Sequence, residues 1–283
     1  MIKVGFIDYY LNEWHADNLP TWLDEESKGE VKVCYAYGKI DCPIEGGKTN
    51  QEWAKERGVE LFDTIEEVVE KSDVLVVLSP DNPEMHEELT AIPLASGKRC
   101  YVDKTFAPDR ASAIRMIENA KKHNTPMFST SALRFSEEFK SISKENIEVV
   151  NMRGPHTYAI YAIHQIEPIV TLMGKDAKRV MFMGTEKTPG LVIEFSNNRW
   201  ATTQHFGWEC PFNMAINYSD DKNTVMVPDC TNYFPNFVKE LVDFFKTGDV
   251  KADPEETIAV ITIRECGYKA MEKPGTWVEI PKR

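Results

Sequence analysis

The sequence predicts an α/β protein in which a Rossmann-like, doubly wound parallel sheet is followed by an α+β domain with a large, open, mainly antiparallel sheet. Short apolar runs alternate with helical patterns over residues 1–128, which is typical of a parallel sheet. Over residues 129–283 most strand-like runs follow one another through short turn clusters, which is typical of antiparallel hairpins. The chain of 283 residues is long enough for two domains of these sizes.

The first half alternates strands with helices. The predicted strands are residues 2–7, 31–37, 74–78, 99–102 and 126–130. The predicted helices are a stretch that closes near residue 19, residues 51–57, a helix that begins at residue 65, a segment that ends at residue 97, and residues 110–123. The helix at residue 65 has a capping-box sequence, in which Thr64 accepts from the amide of Glu67 and the Glu67 side chain reaches back.

Polar side chains mark one edge of the predicted parallel sheet. Right-handed crossovers bring the carboxyl ends of its strands and the loops after them to that edge. The residues expected there are Asp8, Tyr35, Ser79, Asp103 and Lys104. Ligands of such sheets bind outside the carboxyl ends of the strands, so we expect any chemistry of this half at the same edge.

The second half contains a helix over residues 157–173 and a series of strands. The predicted strands are residues 147–151, 179–183, 191–195, 199–206, 212–218, 224–227 and 276–280. Turn clusters at residues 196–198 and 220–223 connect two of the hairpins. The remaining predicted helices are residues 237–245 and a helix that follows the N-cap Asp253 and ends near residue 271. An open sheet of this size normally hides its second face, so we expect a homodimer or higher homo-oligomer through it.

Composition excludes several classes of function. The net charge of −12 disfavours a nucleic-acid partner, because phosphate binding needs clustered Lys and Arg. No apolar run approaches the ~20 residues of a membrane span, and no basic segment with a cleavage site opens the chain. The six cysteines are scattered and no metal-ligand spacing is present, so neither a disulfide framework nor a metal is expected. We expect a cytoplasmic protein.

Four segments, in order and at family-like spacing, resemble the Gfo/Idh/MocA family of oxidoreductases. Residues 79–86, Ser-Pro-Asp-Asn-Pro-Glu-Met-His, are similar to its strand-end loop with a Pro and a later His. Gly97-Lys98 and residues 101–105, Tyr-Val-Asp-Lys-Thr, are similar to its GK…EKP segment, with Asp for Glu and Thr for Pro. Residues 161–167, Tyr-Ala-Ile-His-Gln-Ile-Glu, resemble its helix with a His and a following acid, and residues 237–280 resemble its C-terminal helix pair and last strand.

The resemblance implies an NAD- or NADP-dependent oxidoreductase that acts on a sugar or cyclitol, with a dinucleotide-binding-type first domain and a substrate-binding and dimerisation domain after it. It implies that Lys104 and His164 handle the proton of a substrate hydroxyl while hydride moves to or from nicotinamide. The implied substrate-binding residues are Asp103, Tyr161 and Glu167. The implied cofactor-binding residues are Ile7, Asp8, Tyr9, Ser79, Pro80, Asn82 and His86.

The first turn departs from the family pattern. The family has GxGxxG there, and those glycines let the backbone approach a pyrophosphate. Here residues 8–15 read Asp-Tyr-Tyr-Leu-Asn-Glu-Trp-His, without glycine and with two acids that repel phosphates. Residues 35–37, Tyr-Ala-Tyr, offer no acid to an adenosine ribose, and Ile160 stands where the family often has Asp.

These departures support a second hypothesis, in which a protein of the family's shape has lost nucleotide binding and binds a small molecule or a protein partner without redox chemistry. A third hypothesis, a purely structural dimer, depends on the open sheet alone.

Each candidate side chain also has a structural interpretation. Lys104 is then a surface lysine paired with Asp103, His164 a helix-face histidine bonded to a carbonyl, and Glu167 a surface acid. His86 and His15 then pack or cap near their loops. The aromatic residues near the first turn either stack on a ligand or fill the phosphate position; they are Tyr9, Tyr10, Trp14 and Trp22. Those of the later strands either pack on the sheet, line a dimer interface or stack on a sugar; they are Trp200, His205 and Trp208.

Overall fold

The computed structural model describes residues 1–220 and 224–282. The chain forms two compact units. Unit 1 consists of residues 1–130 and 238–254, and unit 2 of residues 131–237 and 255–283. The sequence placed a single boundary at residue 128, whereas the structure returns residues 238–254 to the first unit.

Unit 1 contains a six-stranded parallel sheet. Its strands are β1 (Ile2–Asp8), β2 (Val31–Gly38), β3 (Glu60–Leu61), β4 (Val74–Val77), β5 (Cys100–Val102) and β6 (Met127–Phe128). Its α-helices before the chain leaves the unit are α1 (Trp14–Ser27), α2 (Asn50–Arg57), α3 (Ile65–Lys71), α4 (His86–Thr90) and α5 (Arg110–Lys122). The strand order β3-β2-β1-β4-β5-β6 reverses direction between β1 and β4, which confirms the doubly wound prediction.

Helix α1 differs from the helical stretch that was predicted to close near residue 19. It begins at Trp14, after the N-cap Glu13, and continues to Ser27, where Lys28 ends it in the left-handed conformation. The helix therefore continues through Pro20, although proline removes one backbone hydrogen bond. Apolar burial on the face that carries Leu19 and Leu23 offsets this loss.

The capping box lies on another helix than predicted. At α3 the Thr64 hydroxyl accepts from the Glu67 amide at 3.3 Å, but the Glu67 carboxylate binds that hydroxyl and not the Thr64 amide. The complete box is at α2, where the Thr49 hydroxyl accepts from the Glu52 amide and the Glu52 carboxylate accepts from the Thr49 amide at 2.9 Å. The sequence predicted the start of α3 correctly and missed the better cap at α2.

The chain segment that returns to unit 1 packs against its last strands. The Phe244 ring meets the Phe128 ring edge-on with centroids 5.0 Å apart. The Arg99 guanidinium donates to the carbonyl oxygen of Phe245 at 2.6 Å. Lys251 lies between three carboxylates of the same segment, including Asp249 at 2.9 Å. The apolar face of this helix thus completes the core of unit 1.

Unit 2 contains a seven-stranded mixed sheet. Its strands are β7 (Ile147–Pro155), β8 (Ala177–Gly184), β9 (Pro189–Phe195), β10 (Arg199–Phe206), β11 (Asn213–Tyr218), β12 (Val225–Val227) and β13 (Trp277–Glu279), in the order β12-β11-β7-β10-β9-β8-β13. Its long helices are α6 (Tyr158–Met173) and α8 (Pro254–Met271), whereas α7 (Tyr233–Thr247) begins in unit 2 and ends in unit 1. All strand pairs are antiparallel except β7 with β10.

One face of this sheet is buried and the other carries a row of directly paired residues. From one edge to the other the row is Met226, Ala215, Asn151, Thr202, Val192, Met181 and Trp277. Met226 is 68 % exposed, and Trp277 lies beside Trp200 with ring centroids 5.9 Å apart. We call this row the open-face row. The turn predicted at residues 220–223 falls, apart from Asp220, outside the described residues.

Candidate functional site

The carboxyl edge of the unit 1 sheet brings most of the predicted polar residues to one side. Asp8 is the last residue of β1, Ser79 follows β4 by two residues, and Asp103 and Lys104 directly follow β5. Tyr35 is the exception, since it pairs with Gly5 and Glu60 inside the sheet and the strand continues to Gly38. The expectation that Tyr35 reaches this edge was therefore wrong by three residues.

The first turn is filled by its own side chains. Tyr10 and Leu11 are buried, and the Leu11 amide donates to the Asn50 side-chain oxygen at 3.0 Å. The Asn50 side-chain nitrogen in turn donates to the carbonyl oxygens of Gly38 at 3.1 Å and Ile40 at 2.7 Å. Asn50 therefore joins the turn after β1 to the loop after β2.

Glu13 caps the N-terminus of α1 with its own carboxylate. The two carboxylate oxygens accept from the backbone N–H groups of His15, at 2.7 Å, and of Ala16. The residue is only 8 % exposed, and burial raises the pKa of its carboxyl to about 7. These N–H groups belong to the helix terminus that binds phosphate in dinucleotide-binding folds, so here an internal anion takes the phosphate's hydrogen bonds.

A second carboxyl group lies beneath this cap. Asp8 is 1 % exposed, its Oδ1 accepts from the Tyr9 amide at 2.7 Å, and its buried Oδ2 has no hydrogen-bond partner. Burial, followed by the charge on Glu13, raises the pKa of Asp8 well above its usual range. The turn thus places two buried carboxyl groups with raised pKa values where a dinucleotide carries its pyrophosphate.

The residues of the first turn do not fit a dinucleotide. Glu13 already occupies the helix terminus, Asp8 adds a second buried acid, and no glycine lets the backbone come closer. At the end of β2, where a carboxylate would bind an adenosine ribose, stand Gly38 and Lys39, and the Lys39 ammonium binds Glu88 at 2.6 Å.

Asp103 organises a polar network on the next part of the edge. Its Oδ2 lies 2.9 Å from His15 Nδ1 and 3.9 Å from the Lys104 Nζ, and its Oδ1 accepts from the Tyr101 hydroxyl at 3.0 Å. Burial alone would raise the pKa of Asp103, but the charges of His15 and Lys104 outweigh it and lower the pKa below its ordinary value. An ionised carboxylate that orients an imidazole is the arrangement of a proton-transfer pair.

His15 was not among the predicted site residues. The sequence places it only in the first turn after β1, and Asp103 after β5, 88 residues later. Because β1 and β5 both flank β4, the carboxyl ends of the three strands meet. An acid at the end of β5 with a histidine in the first helix was the signal that could have found the pair.

The loop after β4 is held by its own polar residues. The Ser79 hydroxyl donates to the carbonyl oxygen of Asn82 at 3.0 Å, across Pro80, and Ser79 adopts a positive φ of 93°. The ring nitrogens of the fully buried His86 lie 2.6 Å from the Leu78 carbonyl oxygen and 3.0 Å from that of Phe106. Burial lowers the pKa of His86, and a neutral imidazole donates to one of these oxygens.

In unit 2, His164 projects from α6 and is oriented by a serine. The Ser131 hydroxyl lies 2.7 Å from His164 Nδ1 and also accepts from the Leu133 amide at 3.1 Å, which caps the short 3-10 turn Ala132–Phe135. One turn later on α6, the Glu167 carboxylate accepts from the Arg134 guanidinium at 2.8 Å. The 3-10 turn and its N-cap residue therefore supply partners to His164 and Glu167.

Arg134 is itself buried between two carboxylates. It binds Glu167 at 2.7 Å and Glu256, in the first turn of α8, at 2.8 Å. Burial alone would lower the pKa of the Arg134 guanidinium, but the two carboxylate charges outweigh it and raise the pKa. This ion-pair network fixes the face of α6 that carries His164 and Glu167. Arg134 could not be identified from the sequence pattern, because an acid on a helix face does not reveal its partner.

Aromatic rings surround His164 on the other side. Tyr161 stacks on Phe212 with centroids 6.0 Å apart and on His156 at 4.8 Å, and it meets His164 edge-on at 5.0 Å. The ring centroids of Trp208 and Tyr161 are 5.5 Å apart, and Trp208 is 64 % exposed. We call these five residues the aromatic cluster. Flat apolar faces beside polar groups suit the C–H face of a sugar or cyclitol ring.

A cavity of about 840 Å³ adjoins this cluster within unit 2. His156 and Trp208 line it together with Tyr158, Phe182 and Met271, and Lys187 lies among its polar residues. Within residues 1–220 and 224–282, no group of three or more His, Cys, Asp or Glu side chains is arranged to hold a metal ion. No helix in the same part of the chain is long and apolar enough to cross a membrane.

Comparison with solved structures finds the same fold in several dehydrogenases. A probable dehydrogenase from Thermotoga maritima matches with a TM-score of 0.78 at 14% identity, and the match covers 99% of both chains. Scyllo-inositol dehydrogenase from Lactobacillus casei, with bound NAD(H) and scyllo-inositol, matches with a TM-score of 0.77 at 15% identity over 99% of both chains. GenD2 from gentamicin A biosynthesis, in complex with NAD, matches with a TM-score of 0.76 at 14% identity, and the match covers 100% of this chain and 97% of the GenD2 chain.

Comparison with protein-family models finds no match, and comparison with curated proteins finds none either. The structural likeness extends over the whole chain, which confirms the predicted resemblance at the level of the fold. At these identities the likeness is one of fold, and activity has to be argued from the residues.

Proposed function

We propose that the protein is an oxidoreductase of the Gfo/Idh/MocA type that acts on a hydroxyl group of a polyhydroxylated small molecule, such as a sugar or cyclitol. The observation that carries this proposal is His164, which is oriented by Ser131 and lies within the aromatic cluster. Support also comes from the fold, which this chain shares over its full length with an inositol dehydrogenase.

In the proposed reaction Lys104 and His164 handle the proton that leaves or joins the substrate oxygen. Asp103 holds its charge beside Lys104, and Tyr161, edge-on to His164, is assigned to the wall of the substrate site. Glu167 positions α6 through Arg134 and so acts on the substrate indirectly. The family's hydride partner is nicotinamide, but the first turn does not fit its dinucleotide, so the proposal assigns this chain's residues to the proton alone.

The test of this proposal is a thermal-shift series with cyclitols, sugars and the four nicotinamide dinucleotides, followed by turnover measurements. A ligand at ~100 times its dissociation constant adds ~2.7 kcal/mol to stability, which is readily measured. We expect stabilisation by a polyol and its loss in His164→Asn, with Lys104→Ala affecting turnover. Unchanged turnover in both variants would refute the assigned roles.

A second candidate is a small-molecule binding protein of this fold that has lost nucleotide binding. The Glu13 cap favours it, because the helix terminus that holds phosphate in related folds is internally satisfied. A polyol that stabilises the protein while all four dinucleotides fail to do so would decide for this candidate.

We further propose that the open-face row forms a homodimer contact, because an open sheet with exposed Met226 and the paired rings of Trp200 and Trp277 needs a cover. Met181→Lys places a charge in the row between Val192 and Trp277. We expect this variant to halve the molar mass measured by light scattering, while Lys178→Ala at an exposed position of the same strand leaves it unchanged. A monomeric wild-type protein would contradict the proposal. A cytoplasmic location remains a prediction.

A further inference from the structure

We propose that the Glu13 carboxylate is a built-in competitor for phosphate at the N-terminus of α1, and that this one side chain decides how well unit 1 accepts a dinucleotide. The inference goes beyond the proposed function, since it concerns what excludes phosphate and holds for either candidate function. It concerns one residue and can be tested by binding alone.

The first argument is the identity of the hydrogen bonds. A phosphate at a helix N-terminus is held by the free backbone N–H groups of the first turn. In this chain the His15 and Ala16 amides already donate to the two oxygens of one carboxylate. A pyrophosphate would have to displace a bidentate anion that is covalently attached and therefore present at high effective concentration.

The second argument concerns the bulky residues of the turn, which are the obvious alternative cause. Tyr10 and Leu11 replace the small residues of a glycine-rich turn, but both side chains are buried in unit 1. The Leu11 amide donates to the Asn50 side-chain oxygen, and this hydrogen bond holds the turn in place. Neither side chain bonds the α1 terminus, so the group that occupies it is Glu13.

The third argument is the choice of residue at the cap. Short side chains, namely Ser, Thr, Asp and Asn, are preferred at N-caps because their oxygens reach the N2 and N3 amides without strain. A buried glutamate at this position costs desolvation that a serine would not. The buried Asp8 carboxyl, one of whose oxygens has no hydrogen-bond partner, places a second acid in the same turn. The turn thus holds two buried acids where a helix cap needs only one short polar side chain.

The experiment compares wild type with Glu13→Ser and Glu13→Gln. Serine keeps an N-cap oxygen but removes both the charge and the bulk of the carboxylate, so the helix terminus opens. Glutamine keeps the bulk and removes the charge, and serves as the matched control. Binding of inorganic pyrophosphate and of NADH is measured by calorimetry, and NADH also by its fluorescence.

We expect Glu13→Ser to bind pyrophosphate and NADH at least about tenfold more tightly than wild type, with Glu13→Gln between the two. Circular dichroism and thermal melts establish that each variant folds, and Glu13→Gly replaces the serine variant if that one does not. Equal affinity in all three proteins overturns the inference, and so does the absence of binding in all three.

The same measurements keep the inference apart from the proposed function. NADH binding by wild type that Glu13→Ser does not improve leaves the oxidoreductase proposal in place and overturns the inference. Binding by Glu13→Ser alone supports the inference and assigns the native protein to the nucleotide-free candidate.

Discussion

Replacing Glu13 by glutamine should change how the stability of the protein depends on pH. Burial raises the pKa of this carboxyl from an ordinary value near 4.5 to about 7. An acid whose pKa is higher in the folded protein binds its proton more tightly there. Its favourable contribution is therefore complete below the unfolded pKa and is lost as the pH rises through about 7.

The size of the effect follows from the two pKa values. A group that titrates at about 7 when folded and near 4.5 when unfolded favours folding by about 2–3 kcal/mol more at about pH 5 than at about pH 8. In a protein of this size that corresponds to a shift of roughly 5–10 °C in the melting temperature. The charge on Glu13 also raises the pKa of Asp8. Glu13→Gln therefore lowers the pKa of Asp8 toward its ordinary value, which weakens the pH dependence of stability further.

The assay is urea unfolding of wild type and Glu13→Gln between about pH 5 and about pH 8, with the difference in unfolding free energy plotted against pH. Taking the difference removes the opposite pH dependence of His86 and His205, whose pKa values are lowered by burial. Glu26→Gln, at an exposed position of the same helix, is the control. Curves for wild type and Glu13→Gln that run parallel across this range would refute the reasoning.

Two further predictions concern the supports of the site. Arg134→Met should lower the free energy of unfolding by ~3–5 kcal/mol in urea melts, because it removes the guanidinium charge that faces the buried Glu167 carboxylate. Restoration by the double variant with Glu167→Met is the check, and a loss below ~1 kcal/mol would contradict the prediction. Asn50→Ala should cost ~2–3 kcal/mol and speed amide exchange of Leu11, because three hydrogen bonds are lost; unchanged exchange would contradict it.

The alternation of apolar runs was enough to predict the architecture. Strands β4 and β5 are buried throughout and β1 over its last five residues, and they read as apolar runs, so their existence and order followed from the pattern. Strand β3, of two residues, was missed because it is too short to show a period. The return of residues 238–254 to unit 1 was missed because a single helix, α7, serves both units and its sequence does not show where one ends.

The site was predicted less completely, since its residues act through partners that are distant in sequence. His164 and Lys104 were named from local patterns, whereas Ser131, Arg134 and His15 became visible only when the fold placed them. The absence of glycine in the first turn predicted poor phosphate binding. The sequence did not predict that the Glu13 carboxylate would occupy the N-terminus of α1, because glutamate is not a common N-cap.

The two-part composition of unit 1 has a consequence for synthesis on the ribosome. The strands of its sheet are complete once residue 128 has emerged, but the helix that covers Phe128 and binds Arg99 arrives more than a hundred residues later. Residues 131–237 of unit 2 are made in between, so the nascent first unit exposes an uncovered apolar face during that time. A fragment that ends at residue 130 should consequently aggregate, and the same fragment mixed with a peptide of residues 233–254 should regain solubility.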